Sequence, residues 1–209
     1  MKKDKIIIFD FDGVIADSFD IALEISQMSK PTLTKKRYRQ AFNGNITKAI
    51  YEDRVIKEVD FEKEYDKKFE TLLLADNIKT AIQNLSKDFK LFIVSSTINK
   101  TIEKYLLRHG IIKCFTEILG SDVEASKVKK FKMIFDKYLS DPTDSIFITD
   151  SSGDIKEAKE AKIGYIVGIL GGYQTKKSLE NAKPDKIAKD FDDFFRIVVS
   201  LINKKRVAR

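Results

Sequence analysis

Four stretches of the chain are apolar almost without interruption: residues 5 to 11 (KIIIFDF), 89 to 95 (FKLFIVS), 145 to 149 (SIFIT) and 163 to 169 (IGYIVGI). A weaker one covers 115 to 119 (FTEIL). Short apolar runs with no polar alternation fit strands buried on both faces of a parallel sheet. Between them, apolar residues recur at helical spacing over 99 to 109, 127 to 139 and 153 to 162, and Gly110 follows the first of these as a helix stop. Strand and helix in alternation predict an α/β fold, a doubly wound parallel sheet.

One interval breaks the alternation. Between the first two strands the chain reads as helix over 18 to 29, 34 to 42, 46 to 57 and, in one long pattern, 60 to 86. A crossover in a plain α/β unit needs little more than about a dozen residues. The pattern therefore predicts an inserted all-helical cap over 18–87, with residues 1–17 and 88–209 forming the core. Ligands in open parallel sheets bind outside the carboxyl ends of the strands, so the insert would cover that edge as a lid. Met28 and Met133 fall on apolar helical faces and are assigned to the core.

Composition narrows the class. With 209 residues, 43% hydrophobic and 34% charged, the chain is long and apolar enough to bury a core, and disorder is excluded. The single Cys114 cannot form an internal disulfide, and the opening MKKDK leads straight into a short strand with no signal-type apolar segment. A cytoplasmic location is expected, and no run approaches the roughly 20 apolar residues that span a bilayer. The formal charge of +7 raises nucleic acid as a partner. The lysines are interleaved with acids, as in KEYDKKFE and KEAKEAK, which is the pattern of solvated helix faces. The basic NKKRVAR segment at 203 to 209 reads as a frayed, solubilising tail.

The chemistry sits where the strands end. The first delivers Asp10 and Asp12, the second Ser95, Ser96 and Thr97, the third leads to Ser126 and Lys127, and the fourth delivers Thr149, Asp150, Ser151 and then Asp154. Carboxylates gathered at one edge repel unless a cation sits among them, and oxygen-only ligands suit Mg²⁺. Asp10, Asp12, Asp150 and Asp154 are the candidate metal ligands, and with Cys114 elsewhere and no histidine at the edge, zinc is not expected. A lysine and a hydroxyl beside such a metal would hold phosphate, the anion all three bind jointly. One carboxylate can then attack phosphorus, while its neighbour protonates the leaving oxygen and later activates water.

Several of these residues carry a second reading. Ser95 and Ser96 fit a helix N-cap as well as phosphate binding, and Asp154 fits a first-turn acid. Asn43 and Asn45 flank Gly44 in the most turn-like part of the insert, as substrate-binding amides or as a plain connector. His109 precedes Gly110 at a helix end and is not expected to be catalytic.

Taken together, IIIFDFDGV, LFIVS, ASK at 125 to 127 and IFITDSSGD resemble the four motifs of the haloacid dehalogenase superfamily of phosphohydrolases, in order and across nearly the whole chain. The phosphoglycolate phosphatase and beta-phosphoglucomutase-like subgroup, with its small helical cap, is the part most resembled. The resemblance implies Asp10 as nucleophile, Asp12 as general acid and base with its carbonyl on Mg²⁺, Ser95 on the transferring phosphoryl group and Lys127 neutralising it. Asp150 would complete the metal site, with Asp154 as a second metal-shell or hydrogen-bonding residue; Ser96, Asn43 and Asn45 are candidate substrate contacts from their positions alone, not from the resemblance.

Two features depart from the family pattern. Thr149 stands where Gly or Glu is common, and Lys127, Lys129 and Lys130 compete for the lysine role, with one expected to turn inward from a helix starting near Val128. Dehalogenases lack the second acid and phosphomutases use a cap histidine, so the resemblance implies Mg²⁺-dependent hydrolysis of a small-molecule phosphomonoester by a monomer or homodimer. A phosphonatase using a cap lysine ranks lower, and a non-catalytic binding protein on the same scaffold, docking nucleic acid or an acidic partner, is the alternative of another class.

Overall fold

The computed structural model describes residues 5–43 and 59–207, the side chains of 202–207 excepted. Six strands form one parallel sheet: β1 (Ile6–Phe9), β2 (Lys90–Val94), β3 (Phe115–Leu119), β4 (Ile146–Thr149), β5 (Tyr165–Ile169) and β6 (Lys186–Ala188). Their spatial order is β3-β2-β1-β4-β5-β6. Every residue of β1 is buried because both of its faces are covered. Ile7 and Phe9 join one core while Ile6 and Ile8 join another, which is why the strand shows no polar alternation.

Nine α-helices are described: α1 (Phe19–Ser29), α2 (Lys35–Gln40), α3 (Phe61–Phe69), α4 (Asp76–Leu85), α5 (Asn99–Arg108), α6 (Lys127–Tyr138), α7 (Ser152–Glu160), α8 (Lys176–Ala182) and α9 (Phe191–Val207). Phe131 and Ile134 of α6, Ile155 of α7 and Leu179 of α8 pack on Ile8, Phe92 and Phe147 from one side of the sheet. On the other side Phe9 meets Phe191 and Phe194 of α9 and Phe115 at ring-centroid distances of 6.2, 5.9 and 6.1 Å. The doubly wound sheet read from the sequence is present.

The structure corrects several details. The single pattern over 60 to 86 is two helices, α3 and α4, separated by Glu70–Ala75. Met28 and Met133 are exposed, at 47% and 43%. Met133 falls off the stripe formed by Lys127, Lys130, Phe131, Ile134 and Phe135, and Met28 lies beyond the last buried position of α1, Ile25. The basic segment at 203 to 209 begins inside α9, which runs to Val207. The strand β6 and the helices α8 and α9 were not anticipated. Asn45 and the helical stretch expected over 46 to 57 lie outside the described residues.

Candidate active site

The chain leaves β1 toward β2 and β3, then crosses to β4 on the opposite flank, so β1 and β4 border the point where the strand order reverses. In open parallel sheets that crevice is the ligand site. Asp10 and Asp12 follow β1, and Asp150 follows β4 in the adjacent strand. The Asp10 N–H continues the ladder onto the Ile148 carbonyl at 2.9 Å, which fixes the Asp10 backbone before the chain turns away.

Asp10 is buried, and its two oxygens have different partners. One accepts from the Phe11 N–H at 2.8 Å. The other lies 2.9 Å from Lys127 Nζ and 3.1 Å from the Thr149 hydroxyl. Lys127 also contacts Asp154 at 2.7 Å, so one ammonium bridges two carboxylates. Thr149 Oγ1 is 3.0 Å from the same Asp154 oxygen and gives its single proton to either acid. Burial pushes Asp10 well above the usual carboxylate range, with Lys127 only partly opposing it. Burial acts on Asp154 in the same sense, but there Lys127 and the hydrogen bonds outweigh it and hold the group low. Burial alone would lower the Lys127 pKa, and the two carboxylates raise it instead.

Asp12 sits in a different setting, half-buried and held by hydroxyls. Ser18 Oγ donates to one oxygen at 2.6 Å, Thr97 Oγ1 donates to the other at 2.6 Å, and the Tyr65 hydroxyl donates to the oxygen that Ser18 also contacts. Gly13, at φ +73°, turns the chain just after the two acids. A Cβ on Gly13 would lie 1.9 Å from an Asp150 oxygen, so the turn requires glycine twice over, for its backbone and for its bareness.

Asp150 is almost fully buried and accepts from the Tyr173 N–H. Burial pushes its pKa up to about 7, against the pull of that N–H. Gly172 permits the approach, since a Cβ there would lie 2.1 Å from the same carboxylate oxygen.

Ser95 is buried at the end of β2, and its hydroxyl accepts the Thr97 N–H at 3.0 Å. Ser96, next in the chain, is half-buried. Ser126 caps α6 by accepting the Lys129 N–H, so Lys127 is the first helical residue and not a loop residue. Lys127 and Lys130 are both buried, at 3% and 0%, correcting the expectation that one lysine turns inward. Residues three apart share a helix face, and the two ammonium groups part there. Lys130 Nζ donates to the Ser95 carbonyl at 2.5 Å, and burial, then the charge of Lys127, pushes its pKa down to about 8.

The insert reaches this edge at several points. Arg39 donates to the carbonyls of Gly172 and Tyr173, and the Asn43 amide oxygen accepts from Gln174 Nε2 at 2.9 Å. Asn43 Oδ1 also lies 3.4 Å from Ser152 Oγ, so this side chain fastens the insert to the loop after β5 and the start of α7. The ring of Tyr173 packs on Phe42 and Phe19 at 4.6 and 5.0 Å. Tyr65, Tyr173 and the role of Thr149 were not read from the sequence. The spacing Phe61, Tyr65, Phe69 in an otherwise charged helix was the available signal for Tyr65.

Comparison with known proteins fits this geometry. The model of the haloacid dehalogenase-like hydrolases matches residues 7–167, from β1 through β5. The chain belongs to this family. It is an enzyme of the haloacid dehalogenase-like hydrolases, and its curated relatives are phosphatases. The phosphoglycolate phosphatase of Vibrio cholerae serotype O1 is 26% identical over 225 residues, covering 95% of this chain and 99% of that one. A haloacid dehalogenase-like family hydrolase from Streptococcus pneumoniae superposes with a TM-score of 0.75 at 21% identity, covering 97% of this chain and all of that one. A magnesium-bound haloacid dehalogenase-type hydrolase from Bacillus subtilis gives 0.67 at 19% identity, covering 94% and 99%. No described helix is long and apolar enough to cross a membrane.

Proposed function

We propose that the chain hydrolyses a small phosphomonoester with Mg²⁺ through an aspartyl-phosphate on Asp10. The observation that carries this reading is the split environment of two acids one residue apart. Asp10 is buried against a lysine bridge, while Asp12 is half-buried and gripped by three hydroxyls. Paired acids in contrasting settings divide a reaction into two roles.

Lys127, with its charge beside Asp10, offsets the charge of an incoming phosphate and keeps the carboxylate aimed. Asp154 holds that lysine in place while Thr149 spans the two carboxylates, a positioning role for Asp154 rather than a ligand role. Asp10 attacks phosphorus as Asp12 gives its proton to the leaving oxygen. Asp12 then takes a proton from the water that cleaves the acyl phosphate, freeing Asp10 and inorganic phosphate. Ser95, Ser96 and Thr97 line the turn after β2, where hydroxyls and N–H groups receive phosphoryl oxygens.

Mg²⁺ suits the donors present. Asp10, Asp150 and the Asp12 carbonyl offer oxygen alone, and the burial that raises both Asp10 and Asp150 is a cost that a dication beside them removes. Among the described residues no three acidic, histidine or cysteine side chains form a ready cage. That fits an ion that keeps several waters and takes one or two carboxylates together with substrate phosphate. When bound, it would neutralise phosphate charge.

The helices between β1 and β2 would act as the cap, with α4 assigned to the core because it packs on α9, Asn77 reaching Asp192 at 3.3 Å. The names of the Vibrio and Synechococcus relatives make phosphoglycolate the first substrate to try. Phosphate release from phosphoglycolate and from an aryl phosphate, with Mg²⁺ and with chelator, tests the reading against Asp10→Asn. Metal-dependent release abolished by that amide is expected; release that survives it would overturn the assignment.

A further inference from the structure

The loop after β5 carries contacts to the insert and to the core on neighbouring atoms. It turns at Gly171, whose φ of +100° lies in the left-handed region that suits glycine, and continues through Gly172, Tyr173 and Gln174. On the core side the Tyr173 N–H donates to Asp150, and the bare backbone of Gly172 lets the carboxylate come close. On the insert side Arg39 of α2 donates to the carbonyls of Gly172 and Tyr173, with its guanidinium 4.2 Å from the centre of the Phe19 ring. Gln174, 4% exposed, braces the junction from within. Its amide oxygen accepts the Ser152 N–H at 3.1 Å, while its NH₂ group donates to the Arg39 carbonyl at 3.3 Å and to Asn43 at 2.9 Å.

We propose that Arg39 is a positioning residue for the metal site, coupling the seating of the insert to the aim of Asp150 at Mg²⁺. This rests on the phosphatase reading above, in which Asp150 is a metal ligand. The Gly172 carbonyl and the Tyr173 N–H are the two ends of one planar peptide unit. Arg39 grips the oxygen of that plane, and Asp150 takes its N–H. Fixing one end therefore fixes the direction of the other. Gly171 and Gly172, in succession, would otherwise leave this plane the freest to rotate. Mg²⁺ demands near-ideal octahedral geometry, so a carboxylate whose partner drifts loses affinity for it. Coupling between two sites is reciprocal, so an ion that holds Asp150 in place must also favour the seated insert.

The test is Arg39→Met, which keeps an apolar stem over Phe19 and leaves every acid in place, beside Arg37→Met, an exposed cation of the same helix. Two quantities are read on the whole chain without substrate: the Mg²⁺ midpoint, from the rise in melting temperature as Mg²⁺ is added, and amide exchange over residues 34 to 43 with Mg²⁺ and with chelator. Arg39→Met should raise the midpoint at least about fivefold, the low end of coupling between linked sites, and Arg37→Met should leave it within about twofold. Loss of a cation would by charge alone favour Mg²⁺, so weakening has the sign of lost positioning. Arg39→Lys, shorter but still a donor, should recover part of the midpoint. Mg²⁺ should slow exchange over 34 to 43 in wild type and do so much less in Arg39→Met. A merely structural role would lower the melting temperature in chelator and leave the Mg²⁺ midpoint unmoved. That result overturns the proposal, as does wild-type exchange over 34 to 43 that ignores Mg²⁺, or an equal shift in Arg37→Met. Each of these sinks this inference alone. Wild type that gains no stability from Mg²⁺ sinks the metal-dependent phosphatase reading as well.

Discussion

Asp10 and Asp12 are the same residue type, one position apart, and the molecule treats them in opposite ways. Around Asp10 the contacts come from β4, α6 and α7, all in the core: a bridging lysine, a second acid and a threonine, each buried. Around Asp12 they are neutral hydroxyls, Tyr65 from within the insert, Ser18 from its first position and Thr97 from the turn after β2. Charge held in place by charge is insensitive to small movements of the insert, whereas a carboxylate held by hydroxyls changes partners with little cost. The comparison teaches that the core fixes the group that attacks phosphorus, and that the insert can bear on the group that moves protons.

The strongest way to break the contrast is to remove the charge on the Asp10 side. Lys127→Met leaves Asp10 and Asp154 facing each other in the interior with no cation between them. Breaking a buried pair by removing one partner costs about 3–5 kcal/mol, and a lost charge at developing phosphate charge costs about 10²–10³ in kcat. The variant should melt at least several degrees lower and turn over at least a hundredfold more slowly, by thermal denaturation and phosphate release. Survival of near-wild-type turnover would show that Lys127 is a strut and not part of the chemistry.

Lys130 sharpens the same side, because it is a buried lysine that among the described residues pairs with a carbonyl and no carboxylate. A lysine whose folded pKa is lowered costs stability while it is protonated, and that cost fades as pH rises from about 8 toward the ordinary 10.5. Lys130→Met should therefore melt no lower than wild type at pH 7, and its advantage should shrink above pH 8. Its turnover should still fall roughly tenfold, since the Ser95 carbonyl loses its anchor and the phosphate turn loosens. A large fall in melting temperature at pH 7 would mean that the ammonium is a net support of the fold.

The ends of this comparison were unequally legible in the sequence. Asp10, Asp12, Ser95, Asp150 and Asp154 were legible because each lies within a few residues of a strong apolar strand, whereas Lys127, eight residues beyond the weaker β3, was picked out by the ASK pattern. The strands were visible because both faces of the sheet are covered. What escaped depends on contacts distant in sequence. Tyr65 reaches Asp12 across 53 residues and Thr149 reaches Asp10 across 139, distances over which local pattern carries no information. Lys130 was misjudged because helical spacing was applied as a choice between lysines, when residues three apart occupy one face together. The edge strand β6 has only three residues, too short for periodicity, and the exposed Met28 and Met133 show that an apolar residue on a helix is not placed until the partner surface is known.

Asp150 tests the metal side of the contrast through pH. Its carboxyl is raised from 3.8 to about 7 in the fold, so the unfolded chain releases that proton first. The associated stability is complete below pH 3.8 and is lost as pH rises through 7. In chelator, the melting temperature should fall by roughly 5 °C between pH 5 and pH 7.5, with Asp10 acting in the same sense. His109, lowered by burial, acts in the opposite sense, and Lys130 adds nothing until near pH 8. The difference between wild type and Asp150→Asn isolates the one group: the amide variant should lose the Asp150 share of this slope, with Asp10 keeping the rest, and all of the stabilisation by Mg²⁺. A slope unchanged in the variant would place the titrating group elsewhere.

The smallest effects belong to the hydroxyl side, and two neighbouring variants separate its parts. Ser18 donates to Asp12 at 2.6 Å and lies 3.0 Å from the Tyr173 hydroxyl, which donates to it. Ser18→Ala removes one of three donors to the carboxylate, and should lower turnover by about tenfold, the low end for a hydrogen bond to a carboxylate. It also strands a buried tyrosine hydroxyl, so its melting temperature should drop as well. Tyr173→Phe removes only the outer hydroxyl, leaving all three donors on Asp12 and the Tyr173 N–H on Asp150. Its turnover should stay within about twofold of wild type. If Tyr173→Phe matches the loss in Ser18→Ala, the hydroxyls act as a connected chain rather than as independent grips, and the ease with which Asp12 changes partners would have to be assigned to the whole chain.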